Sequence, residues 1–212
     1  MPNLPISQLP SPNPLTGSEL FAIVQDGITK QATLDNIIYT QGNNYGLFSQ
    51  TADSTPITGT TSELSLINGG VGTLSVPANG FQVGDSFRAV MAGILNVANN
   101  QTIRIKVKAG SLILLDSGLQ NITNIVNDVF SLNIDFTIRQ IGAAGVASIV
   151  SLGTFHYCKT SNASVQGFAF NTVNSTTFDT TISNTLDITA QWGSTNAGNS
   201  IYSDIFTLNK TY

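Results

Sequence analysis

QTIRIKVK, residues 101–108, alternates without a break. Ile103, Ile105 and Val107 fall on one side of an extended chain, and Arg104, Lys106 and Lys108 on the other. SLNIDFTIR, residues 131–139, repeats the pattern, with Leu132, Ile134, Phe136 and Ile138 opposite Asn133, Asp135, Thr137 and Arg139. A period of two marks an antiparallel strand with one face on a core. Working outward, further strands are expected at 72–76, 85–95, 111–116, 147–158, 167–173, 185–192 and 200–208. Turn residues separate them: Ala78-Asn79-Gly80, Asn99-Asn100, Asp116-Ser117-Gly118, Ala143-Ala144-Gly145 and the stretch 193–199. About nine or ten short strands at this spacing predict an antiparallel β-sandwich, jelly-roll-like in topology. Helical periodicity never exceeds two turns, and no repeat at the spacing of a solenoid or propeller occurs.

The surface of such a sandwich is unusual. Only 9% of the 212 residues are charged, whereas 41% are hydrophobic. Ser, Thr and Asn make up about a third and supply the polarity, a composition suited to strands and turns. Surfaces of this kind are cheap to desolvate and can be buried between subunits. The formal charge of −4 leaves nothing to neutralise a phosphate backbone, so nucleic acid is not an expected partner. No apolar run is long enough to span a membrane, and none is expected as a partner. The proline-rich start, MPNLPISQLPSPNPL, has neither the basic nor the apolar region of a secretory signal, so synthesis in a cytoplasm is expected.

Residues 1–45 read differently from residues 46–212. Pro2, Pro5, Pro10, Pro12 and Pro14, five of the seven prolines, favour an extended path. A strand over 18–25, a turn at Asp26-Gly27 and a return strand over 28–32 predict a β-hairpin. Thr33 is placed to cap a short helical turn over 33–38, and 41–46 reads as a linker. This segment is too small for a core of its own and needs a surface to lie against.

Candidate chemistry is sparse. His156 and Cys158 are two apart on a strand and share a face, but a zinc site needs more ligands than one His and one Cys. No spacing among the twelve acidic residues demands a catalytic pair, and no Asp-x-Asp-x-Asp calcium loop occurs. Gly69-Gly70-Val71-Gly72 lacks the Lys-Ser/Thr of a phosphate loop and reads as a turn. Catalytic, cofactor and metal sites are therefore not expected. The stripe of Arg104, Lys106 and Lys108 is either a solvated strand face or a surface for a polyanion. Trp192, Tyr202 and Tyr157 can stack on sugar rings, or Trp192 can pack in a core or interface.

The two ends carry a resemblance. LPISQLPSPNPLTGSELFAIVQDGITKQATLDNI, residues 4–36, resembles the N-terminal module of tailed-bacteriophage fibre and head-fibre proteins, in its ISQLP start, its LTGSEL step and its VQDGITK turn. TFDTTISNTLDITAQWGSTNAGNSIYSDIFTLNKTY, residues 177–212, is similar to the closing strands of trimeric fibre and capsid-decoration domains, with Asp179-Thr180-Thr181 before one strand and Gln191-Trp192-Gly193 after it. Together they cover about 70 residues. The resemblance implies a non-enzymatic virion surface protein, made in the bacterial host, that works as a homotrimer. Its expected role is head fibre or capsid decoration, the alternative being a receptor-binding, carbohydrate-binding tail-fibre module. Leu4, Ile6, Leu9, Leu15, Leu20 and Phe21 become candidates for docking on capsid or other virion proteins, with host cell-surface glycan a further expected partner. Trp192, Ile201, Ile205, Phe206 and Leu208 become candidates for the core and the trimer contact, on a C-terminal strand expected at the centre of the sandwich near a threefold axis.

Overall fold

The structure, a computed structural model, describes residues 20–25, 27–33, 45–67, 74–159 and 164–212. The chain divides into two units, Met1–Asn43 and Asn44–Tyr212.

The first unit contains a hairpin. Strands β1 (Leu20–Gln25) and β2 (Ile28–Thr33) pair antiparallel, with Val24 opposite Thr29 and Gln25 opposite Ile28. Gly27 takes a φ of 75°, the left-handed conformation that a tight hairpin turn requires. Thr33 ends the return strand. Leu4, Ile6, Leu9, Leu15 and most of the expected helical turn lie outside the described residues, as does the glycine stretch at 69–72.

The second unit is an antiparallel β-sandwich. Its described strands are β3 (Tyr45–Ser49), β4 (Ile57–Thr58), β5 (Leu64–Ser65), β6 (Ser75–Val76), β7 (Ser86–Val97), β8 (Gln101–Ala109), β9 (Leu112–Asp116), β10 (Gln120–Ile122), β11 (Ile125–Gln140), β12 (Ser148–Lys159), β13 (Ser164–Asn174), β14 (Asn184–Trp192) and β15 (Ser200–Lys210). The large sheet has the order β13-β12-β11-β7-β15-β3, with β4 also on β15. The small sheet has the order β10-β8-β14-β5, with β9 also on β8 and β6 also on β14. No helix occurs among the described residues. The chain changes sheet repeatedly, which gives the jelly-roll-like character.

Period-two alternation delivers one row of side chains per strand to the space between the sheets. Met91, Leu95, Phe130, Leu132, Ile134, Phe155 and Phe206 come from the large sheet, and Ile103, Ile105, Ile188 and Trp192 from the small one. Each such side chain contributes about 1.5–3 kcal/mol on burial. Phe155 stacks between Phe130 and Phe168 at ring distances of 5.3 and 5.0 Å. The Trp192 indole donates to the Ile57 carbonyl at 2.9 Å, so its polar atom is satisfied inside the core. Asn79 and Asn100 turn the chain at φ near 60° and 55°, at two of the expected turns.

Two expectations change. The C-terminal strand is not central: β11 and β7 hold the middle of the large sheet, and β15 is next to its edge. The reason is that residues 45–58 run back along β15. Tyr45 and Gly46, read as linker, already pair with Lys210 and Asn209. The buried Ser203 fixes this return path. Its hydroxyl donates to the Leu66 carbonyl at 2.7 Å, and its N–H donates to the Ser54 hydroxyl at 2.9 Å.

Candidate association surface

A sandwich has two inner faces and two outer ones, and here the outer faces differ. The small sheet presents Arg104, Lys106 and Lys108 of β8 beside Asp187, Thr189 and Gln191 of β14. The stripe is not bare. Arg104 forms a two-pronged ion pair with Asp116. Lys106 pairs with Glu63, and Lys108 reaches the other oxygen of Glu63 at 3.0 Å. The Thr189 hydroxyl donates to Glu63 at 3.1 Å, and the Ser65 hydroxyl to Asp187 at 2.7 Å. Partial burial pushes Glu63 up, but hydrogen bonds from Lys106, Lys108 and Thr189 outweigh it and hold the carboxyl at about 2. The Arg104 hydrogen bond likewise holds Asp116 below its ordinary value, against the effect of burial. Glu63 lies some forty residues before the lysines, so no local spacing announced it.

The outer face of the large sheet is almost without charge. One row across it reads Ile205, Ala92, Ser131, His156, Gly167, and the next reads Thr207, Val90, Asn133, Thr154, Ala169. Beyond these, Tyr202 lies opposite Ile94, Ile94 opposite Val129, and Val150 opposite Val173. Val129, Leu152, Val165, Val173 and Ile205 on this face are 45–73% exposed. The charges at its outward positions are Arg88 and Asp135, which pair with each other at 2.7 Å, and the exposed Arg139 at the end of β11. Strand β7 is the plainest case. Ala89, Met91, Leu95 and Val97 point into the core, while Val90, Ala92 and Ile94 point outward. Strands apolar on both faces are ordinarily covered on both. The unbroken run AVMAGIL, residues 89–95, was the available signal, and alternation alone passes over it.

The candidate residues separate accordingly. Trp192, Ile201, Phe206 and Leu208 are buried within the chain and belong to its core. Ile205 is 56% exposed and faces out. A bulge explains the split: Ser203 pairs with Gly93 and Ile205 with Ala92, so Asp204 is an extra residue between them. The bulge switches the alternation, which puts Ile201 and Phe206 on the same side. Leu20 and Phe21 open the hairpin at 62% and 39% exposure, with Val24 and Ile28 also exposed.

The chemical candidates do not assemble into a site. His156 and Cys158 share the outer face of β12, as their spacing predicts. Among the described residues, no three His, Cys, Asp or Glu side chains gather to hold a metal ion. Burial, with the nearby Asp53 carboxylate, raises Asp204 above its ordinary value. Trp192 and Tyr157 are buried on opposing inner faces and Tyr202 lies outside, so the three form no common platform. A cavity of about 80 Å³ opens between the sheets beside Phe81, Phe87, Phe136 and Phe178. Ligand pockets are ordinarily about 300–1,000 Å³, so this one is a packing gap. No protein-family model matches this chain, and no curated protein matches it.

Proposed function

We propose that this chain is a structural, non-catalytic subunit of a tailed-phage particle, a head fibre or capsid-decoration protein exposed on the virion surface. In this reading the sandwich is the exposed head, self-associated as a homotrimer, and residues 1–43 are the attachment arm. The observation that carries it is the hairpin. A two-stranded ribbon is marginal in water by itself. This one exposes Leu20, Phe21, Val24 and Ile28, an apolar set that calls for a docking surface. The low charge of the sandwich and the resemblance of both chain ends support the same assignment.

The alternative, a carbohydrate-binding tail-fibre module, has less support, because Trp192 and Tyr157 are committed to the core. Particles assembled with a chain lacking residues 1–40 are expected to lose this subunit while the sandwich still self-associates, read by immunoblot of purified virions. Incorporation at the normal level overturns the arm assignment. Sedimentation of the full chain is expected to give three times the 22.4 kDa of one copy, and a single-copy mass overturns the trimer.

A further inference from the structure

We propose that the outer face of the large sheet is the surface on which copies of this chain seat against one another, with the small sheet turned to solvent. The inference rests on the self-association proposed above and names the surface responsible.

Area is the first argument. Strands β13, β12, β11, β7 and β15 at about 4.8 Å spacing, over nine residues at about 3.3 Å each, give a footprint of about 700 Å². A stable interface buries about 800 Å² per partner. Charge is the second. Arg88 and Asp135 neutralise each other within the chain and Arg139 stands out at the end of β11, so the middles of two identical faces meet without like-charge repulsion. Shape is the third. Ala92, Ser131, Gly167 and Ala169 leave low ground on either side of the exposed His156, while Val129, Val165, Val173 and Ile205 supply apolar area around them. The neutral Asn133, Thr154 and Thr207 in the next row can hydrogen-bond to their counterparts on another copy. With a threefold axis in front of this sheet, one half of the face on each copy meets the other half on the next, so each pairwise contact uses about 350 Å² per copy and the closed ring of three, not any pair, is the stable unit. The small sheet, with its cations already paired, has the character of a solvent face.

The test uses Val90→Glu and Thr154→Arg on the large sheet, with Ile113→Lys on the small sheet as control. Mass is read by sedimentation of the full chain. Cys158, the chain's sole cysteine, reports cover through its rate of maleimide labelling. The expected result is an oligomeric wild type with slow labelling. Val90→Glu and Thr154→Arg fall to the mass of one copy and label at least about tenfold faster, with a cooperative thermal transition retained, and Ile113→Lys stays oligomeric. Should Val90→Glu fail to fold, Thr154→Arg decides. Persistence of the oligomer in Thr154→Arg overturns the surface while leaving self-association standing. A single-copy wild type with protected Cys158 also overturns it, since another segment of the same chain then covers the face. A single-copy wild type that labels freely removes both the surface and the self-association.

Discussion

The two outer faces of the sandwich are made from strands of the same period, yet they answer to different surroundings. On the small sheet the outward row is Arg104, Lys106 and Lys108, closed by Asp116 and Glu63. On the large sheet the outward rows are mostly Val, Ile, Ala, Ser, Thr and Asn, with His156, one ion pair and Arg139 at the end of β11. Both faces are electrically quiet. The first achieves this with paired charges that water can solvate, the second by having almost no charges at all. A polar face loses little by staying wet, whereas an apolar face of this extent gains by being covered.

The largest expected effect comes from removing the common support of both faces. Gly93 on β7 lies against the backbone of Tyr202 and Ser203 on β15, where any side chain collides. Gly93→Val is expected to yield no soluble folded protein, a loss beyond about 3 kcal/mol, read by solubility and circular dichroism. The next test sets neighbours against each other across the bulge. Phe206→Ala, in the core, should cost about 3–5 kcal/mol in denaturant unfolding. Ile205→Ser, on the outer face, should leave the unfolding of a single subunit within about 0.5 kcal/mol while weakening association.

A smaller effect concerns the ion-paired face. Glu63→Gln leaves Lys106 and Lys108 without their carboxylate and should cost about 1–3 kcal/mol at neutral pH. Acid titration checks the cause. Glu63 is held at about 2 against an ordinary 4.5, so its contribution is complete above 4.5 and disappears as the pH falls from 4.5 towards 2. The variant should lack that part of the acid limb. Asp204 has the opposite sign and the smallest effect. Its folded value is raised, so its charge costs stability above that value and the cost is relieved in acid. Asp204→Asn should therefore raise neutral-pH stability by no more than about 0.5 kcal/mol and change nothing at low pH.

The long strands were legible because alternation is a local property. The expected 101–108, 147–158 and 185–192 agree with Gln101–Ala109, Ser148–Lys159 and Asn184–Trp192 to within a residue or so. Of the two- and three-residue strands, β6 falls inside the expected 72–76, whereas β4, β5 and β10 were passed over, since they exist only as partners for the edges of β15, β14 and β8. The bulge at Asp204 was hidden for a similar reason: LPISQLP-type motifs announce themselves, whereas a bulge appears only when two strands are set side by side. Phe206 and Leu208 were recognised as apolar, but their separation from Ile205 needed the register. The neutral outer face was visible in composition as a shortage of charge, and its location needed the sheet order.

In the self-association proposed above, the closed pair of Arg88 and Asp135 also bears on how fast copies find each other. A face that projects no net field offers no long-range attraction to draw partners in or orient them. Encounter then proceeds without steering by the face, at about 10⁵–10⁶ M⁻¹s⁻¹, and the formal charge of −4 on each copy leaves only a weak repulsion that salt screens. Assembly on such a face is governed by how many copies are present at once.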